Sequence, residues 1–183
     1  MGRLKLQMQI TVDGLNPDGS NDDLSWDEVD AYSHALLKTA DTIVLGSTTA
    51  VAFIPYWDAI AAKPDAAWHE VGKQIAQARK VVFSSTFENP GWNNTEVERG
   101  GLVDAIRRLK ATGEKDIIVY GGVSFVASLV KEGLIDEFHL FVNPVAAGQG
   151  KSVFAGLEHP RKLALIKAIG CKSGHVLLHY EPA

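Results

Sequence analysis

The sequence predicts a three-layer α/β fold, with a mostly parallel central sheet, helices on both faces and an antiparallel hairpin at the C-terminal edge. Three observations predict it. Short apolar strands alternate with amphipathic helical segments along most of the chain. Several strand ends run directly into small or hydroxyl residues that open a helix. The last two strand-like segments flank a tight turn with no helix between them. The 183 residues suit a single domain spanning 1–183, long enough to bury a core without covalent staples.

The elements follow in order. Leu4, Leu6, Met8, Ile10 and Val12 alternate with polar residues, as in a half-buried strand ended by Asp13-Gly14. Asn16-Pro17-Asp18-Gly19-Ser20-Asn21 reads as loop. Ser25-Trp26-Asp27-Glu28 is a capping box, and the helix behind it carries Trp26, Val29, Ser33, Leu36, Leu37 and Ala40 on one side. Thr42 to Leu45 is a short strand followed at once by Gly46-Ser47-Thr48-Thr49. Pro55 and Pro64 interrupt the next stretch, and Asp65 is expected to cap a helix with Trp68, Val71 and Ile75 inward. Lys80 to Phe83 is a strand closed by Ser84-Ser85-Thr86, and Thr95 to Glu98 is a further short strand. Leu102, Ala105, Ile106 and Leu109 have helical spacing, with Gly113 as the stop. Asp116 to Tyr120 is a buried strand, and Gly121-Gly122 turns into a helix with Val123, Val126 and Val130 inward and Gly133 as its stop. Ile135 to Val142 is a strand, and Leu163–Ile169 pairs with Val176–Tyr180 around Ser173-Gly174.

Composition excludes several classes. The net charge of -4 argues against a nucleic-acid binder. No apolar run is long enough for a signal peptide or membrane span, and the single cysteine, Cys171, permits no internal disulfide. A cytoplasmic protein is expected. Gly150-Lys151-Ser152 resembles the tail of a phosphate loop, but the required first glycine is Val145. Gly148-Gln149-Gly150 lacks a third glycine, since position 153 is Val153. His175 and His179 would lie about 13 Å apart on a strand, and His34, His69, His139 and His159 are scattered in sequence, so no metal site is expected. A serine nucleophile elbow is absent from the sequence.

Ligands of open α/β sheets bind beyond the carboxyl ends of the strands. Four such ends here carry small or hydroxyl residues: the stretch after Val12, Gly46 to Thr49, Ser84 to Thr86, and Gly121 to Ser124. Small residues let an anion reach the backbone, and a helix start offers free N–H groups with a positive dipole end. Together they suit a ligand with several phosphates, a dinucleotide.

Ile118 to Phe125 resembles the cofactor turn of dihydrofolate reductases. Gly133 to Leu140, Pro144-Val145 and Gly148 to Phe154 resemble the C-terminal reductase domain of the bacterial bifunctional riboflavin-biosynthesis deaminase-reductase and its stand-alone relatives. Gln9 to Gly14 resembles that family's first strand. The resemblance implies a dihydrofolate-reductase-like fold and an NADPH-dependent reductase of a small heterocycle, aminopyrimidine- or pterin-like. Gly121, Gly122, Val123 and Ser124 would bind pyrophosphate, with a cis Gly121–Gly122 peptide. Gly46, Ser47, Thr48 and Thr49 would meet phosphates, Ser84, Ser85 and Thr86 the adenosine ribose, and Ile10, Thr11 and Val12 the nicotinamide. The family commonly has arginine after the glycine where this chain has Ser47, so NADH stands beside NADPH unless Arg79 or Lys80 supplies the charge. Asp30, sixteen residues before Gly46, matches the substrate carboxylate of dihydrofolate reductases, and Asp13 is its rival as the catalytic acid. A homodimer through the C-terminal strands is expected. The alternative is a non-catalytic binding protein that keeps the fold. No cysteine pairs for a deaminase zinc occur in the sequence.

Overall fold

A computed structural model describes residues 1–16 and 27–183. The elements are β1 (Leu4–Thr11), α1 (Asp27–Leu37), β2 (Ala40–Gly46), α2 (Ser47–Ala61), α3 (His69–Gln77), β3 (Arg79–Phe83), β4 (Thr95–Glu98), α4 (Leu102–Thr112), β5 (Asp116–Gly121), α5 (Val123–Lys131), β6 (Glu137–Asn143), β7 (Leu163–Gly170) and β8 (Val176–Pro182). They build one sheet in the order β4-β3-β2-β5-β1-β6-β8-β7. The strands from β4 to β6 in that order run parallel, and β8 and β7 add antiparallel. Leu36, Leu37, Ile54, Val71 and Ile75, from α1, α2 and α3, pack on one face. Ile106 and Leu109 of α4 and Val126, Leu129 and Val130 of α5 pack on the other. The Ser25 capping box and the loop from Pro17 onward fall outside the described residues.

Three expectations need correction. Pro55 does not break the chain but lies inside α2. Val51 and Pro55 are both exposed, so water can meet the carbonyl that loses its donor. Asp65 does not cap α3, which starts at His69 with Trp68 at the cap position. Residues before it form turns, with Ala66 N–H donating to Lys63 O and His69 N–H to Ala66 O. The third concerns β1. Its alternation predicts one wet face, yet Lys5, Gln7 and Thr11 are buried along with Leu4 and Leu6. β1 lies between β5 and β6, so both of its faces are covered.

Burial makes partners obligatory for those polar side chains. Lys5 Nζ lies 2.7 Å from Asp116 Oδ2, 3.6 Å from Glu137 Oε1 and 3.1 Å from Thr39 Oγ1. Arg3 reaches Glu137 Oε1 at 3.0 Å. The other Glu137 oxygen meets His139 Nε2 at 2.9 Å, and His139 Nδ1 lies 2.6 Å from Tyr32 Oη. Gln7 Nε2 donates to Ser33 Oγ at 2.5 Å.

Burial alone would push the Glu137 carboxyl up, but the His139 hydrogen bond and the Lys5 and Arg3 charges outweigh it and hold it at about 2. Its ordinary value is 4.5. The unfolded chain therefore takes the proton first, and this contribution, complete above pH 4.5, is lost as pH falls toward about 2. Burial and the neighbouring His139 also lower His179 from 6.5, so a further loss begins below pH 6.5. Denaturant midpoints should therefore fall in both windows as the solution is acidified. Glu137→Gln should cost about 3 kcal/mol at neutral pH, as breaking a buried pair does, and should flatten the lower window. An unchanged midpoint and profile would refute this role.

Candidate active site

Two helix starts meet at the carboxyl ends of β2 and β5. Gly46 is the N-cap of α2 and Gly122 that of α5, and neither helix has a side-chain cap. Their first-turn N–H groups are left for a ligand. Gly46, Thr48, Thr49, Gly121, Gly122, Val123 and Ser124 line one cleft of about 400 Å³, joined by Lys151. The Gly121–Gly122 peptide is cis. A Cβ on Gly122 would lie 2.6 Å from Thr49 Oγ1, so the two turns touch and a larger residue there would force the Thr49 side chain to shift.

A second pocket of about 310 Å³ adjoins the first. Phe53, Trp57, Trp68 and Phe141 supply aromatic walls, and Gln7, Gln9 and Ser33 polar ones. Phe53 stacks on Tyr120 with centroids 5.2 Å apart, and Trp57 meets Trp68 edge-on at 6.0 Å. Met8, Asn16 and Tyr120 line both cavities, so the two meet there. The Tyr120 ring is partly exposed but its hydroxyl is buried without a hydrogen bond, and burial pushes its pKa up. The hydroxyl therefore keeps its proton and can donate.

The remaining expected residues divide. Ser47 opens α2 but does not line the cleft. Ser84, Ser85 and Thr86 follow β3, beside β2, at the same end of the sheet. Ser84 Oγ accepts from Phe87 N–H at 3.1 Å and so closes its own turn. Lys80 and Arg79 do not replace the missing arginine. Lys80 is 1% exposed, and its Nζ donates to the carbonyls of Ile75, Ala76 and Ala78 at the end of α3. Arg79 pairs with Glu96 at the opposite end of β3. Arg99, which the sequence reading passed over, donates to Ser85 O at 2.7 Å and Phe87 O at 2.8 Å. An exposed guanidinium thus stands beside the serines.

β1 approaches the site through Met8. Ile10 belongs to the apolar core, Val12 is exposed, and Thr11 Oγ1 donates to Asp13. None of the three lines either cavity. Asp13 braces two loops: its carboxylate accepts from Thr11 Oγ1 at 2.5 Å, Gly148 N–H at 2.7 Å and Ala147 N–H at 3.2 Å. Those bonds, the Thr11 hydroxyl first, lower it to about 2, and it carries no proton to give at neutral pH. Asp30 is half-buried on α1 between Val29 and Ser33, which line the second pocket, while Asp30 does not.

The histidines are not all scattered. His139 and His179 face each other across β6 and β8 with rings 4.2 Å apart. With Glu137 they offer ligand atoms within 4.8 Å of one another. Forty residues separate them in sequence, and only strand register brings them together.

The donor set of the first cleft fits a dinucleotide: two uncapped helix starts, a glycine approach that a Cβ would block, and the Lys151 cation. Comparisons agree with the architecture. The chain is 29% identical over 184 residues to the uncharacterized protein YyaP of Bacillus subtilis, covering 98% of this chain and 94% of that one. It is 27% identical to the riboflavin biosynthesis protein RibD of Corynebacterium ammoniagenes, over 85% of this chain but only 46% of that protein. Acinetobacter baumannii RibD shares the fold with a TM-score of 0.74 at 16% identity, covering all of this chain and 58% of the other. A putative riboflavin biosynthesis protein from Shewanella does so with a TM-score of 0.69 at 20% identity, over 100% and 99% of the two chains. The family model of the RibD C-terminal domain matches residues 3–177, and the chain belongs to that family, with its dihydrofolate-reductase-like fold.

Proposed function

We propose that the protein is an NADPH-dependent reductase that delivers hydride to a small heterocycle. The observation that carries this reading is the joint of the two cavities at Met8, Asn16 and Tyr120. A bound nicotinamide supplies the hydride. The chain's own residues bind and orient: Gly121, Gly122, Ser124 and Thr49 at the phosphates, Arg99 at the adenosine end, and Met8 and Tyr120 at the joint. Arg99 gives NADPH a charged partner although Ser47 stands at the family's arginine position. Asp30, on α1 beside the pocket residues Val29 and Ser33, is the proposed proton source and would act through an intervening water. A homodimer formed through β7 is also proposed. β7 is an edge strand with Leu165 and Ile166 more than half exposed.

NADPH will quench tryptophan fluorescence and bind more tightly than NADH; no binding of either at millimolar concentration would end the reductase reading. Arg99→Ala will weaken NADPH about tenfold, the scale of one charge-assisted contact, and leave NADH unchanged. Gly122→Ala will lower stability by about 1–3 kcal/mol through overpacking, and Thr49→Ala in the same chain will recover part of it in a thermal melt. Asp30→Asn will reduce kcat about 100-fold, as loss of a general acid does, with little change in KM. Asp13→Asn should instead loosen the loop it braces. For the dimer, light scattering should give twice the chain's 19.8 kDa, and Ile166→Lys should halve it.

A further inference from the structure

We propose that Glu137, His139 and His179 bind one divalent transition-metal ion, zinc by preference, which clasps β8 to β6. The proposal does not depend on the reductase reading, since none of the three residues lines either cavity.

Strand register brings the donors together. Glu137 and His139 stand two residues apart on β6 and so share one face of the sheet. His179 of β8 is the direct cross-strand neighbour of His139, and such neighbours have Cβ atoms about 5 Å apart. The donor atoms converge. Glu137 Oε2 lies 2.9 Å from His139 Nε2 and 3.4 Å from His179 Nε2, and all three atoms are within 4.8 Å of one another. Tetrahedral zinc with ligands at about 2.0–2.2 Å holds them about 3.3 Å apart. Two of the separations bracket that value. A turn of His179, the most exposed of the three side chains, can adjust the third.

Three features set this cluster apart from an ordinary buried network. The first is an unmet donor atom. His179 Nε2 is buried and makes no hydrogen bond, although it faces a carboxylate oxygen. A closed network would satisfy it, and an ion taking a lone pair from each of the three atoms does so. The second is the outer shell. Arg3 at 3.0 Å and Lys5 at 3.6 Å hold Glu137 Oε1, which fixes the carboxylate and leaves Oε2 for the ion. His139 Nδ1 lies 2.6 Å from Tyr32 Oη. With Nε2 on the metal, the imidazole proton sits on Nδ1 and Tyr32 Oη accepts that N–H, the arrangement that orients metal-ligating histidines. The carboxylates of Glu137, Glu181 and Asp116 outnumber the cations Arg3 and Lys5, so the surroundings are not positive before the ion enters. The third feature is donor type. Two imidazole nitrogens and a carboxylate oxygen suit zinc and its neighbours, whereas calcium and magnesium take oxygen ligands. Glu181 Oε1, 4.0 Å from His179 Nε2, can supply a fourth ligand by leaving Arg3.

The test uses the full chain after chelation and desalting. Zinc followed by calorimetry should bind one ion per chain at micromolar or tighter affinity. It should also raise the melting temperature, and EDTA should reverse the rise. Cobalt(II) in its place should give the intense visible absorption of a four-coordinate site. His179→Ala should weaken zinc by more than about 100-fold, beyond the range for outer-shell partners, and abolish the cobalt absorption. Tyr32→Phe, which keeps every ligand, should weaken zinc about tenfold. His159→Ala, exposed between β6 and β7 and outside the cluster, should change nothing. Should His179→Ala fail to fold, the stoichiometry and cobalt spectrum of the unaltered chain still decide. Zinc binding only at millimolar concentration, a weak octahedral cobalt spectrum, or an affinity unchanged in His179→Ala would overturn the proposal.

Discussion

The structure depends on how β1 satisfies its two faces. A central parallel strand is covered on both sides, so its side chains must find partners in either layer. Leu4, Leu6, Met8 and Ile10 do so in the apolar core under α4 and α5. The alternate positions are polar and cannot be left unpaired. Lys5 joins Asp116 and Glu137, and Gln7 joins Ser33 on α1. Glu137 continues the network to His139, and Tyr32 closes it from α1. This polar face docks α1 and ties β6 and β8 to β1. The same face, one turn of alternation further along, carries Gln7 and Gln9 into the second pocket. Fold and pocket wall are therefore built by the same row of side chains.

The neighbouring strands set the other half of the site. β2 and β5 are adjacent, and each is followed directly by a helix. Two helix starts are thereby placed side by side, each with free N–H groups. Their separation is fixed by the contact of Thr49 with Gly121 and Gly122. Tyr120, the residue just before this turn, points its ring toward Phe53 on α2. The boundary between the cavities is thus built by one strand end. Any shift of β5 against β2 would move the anion turn and the aromatic wall together.

Much of this was legible in the sequence because it is local. Helical spacing defines α4 and α5, and Gly121-Gly122 after an apolar strand marks the anion turn. What was not legible depends on contacts between distant segments. α2 was obscured because Pro55 reads as a breaker, and only the exposure of its side of the helix makes it tolerable. Lys80 reads as a free cation at a strand start, yet the end of α3 folds its last carbonyls around it. Arg99 lies in a loop with no motif, and meets Ser85 because β3 and β4 are paired. The His139–His179 pair follows from the β6–β8 register alone. Asp13 reads as a candidate catalytic acid at a strand end, whereas the loop after β6 folds over and occupies its carboxylate.

The distribution of charge connects these observations. Most cations near the sheet are already committed: Arg3 and Lys5 to the acidic residues around β6, Lys80 to a helix end, and Arg79 to Glu96. Lys151 lines the first cleft, and Arg99 stands exposed at the end of β3, where it holds the carbonyls of Ser85 and Phe87. The described walls of the second pocket carry no charge of either sign. In the proposed reductase this division would let positive charge hold the cofactor while an uncharged wall excludes water beside it. Tyr120 suits the boundary for the same reason: its buried hydroxyl supplies a hydrogen bond without adding a charge that would draw water between the two ligands.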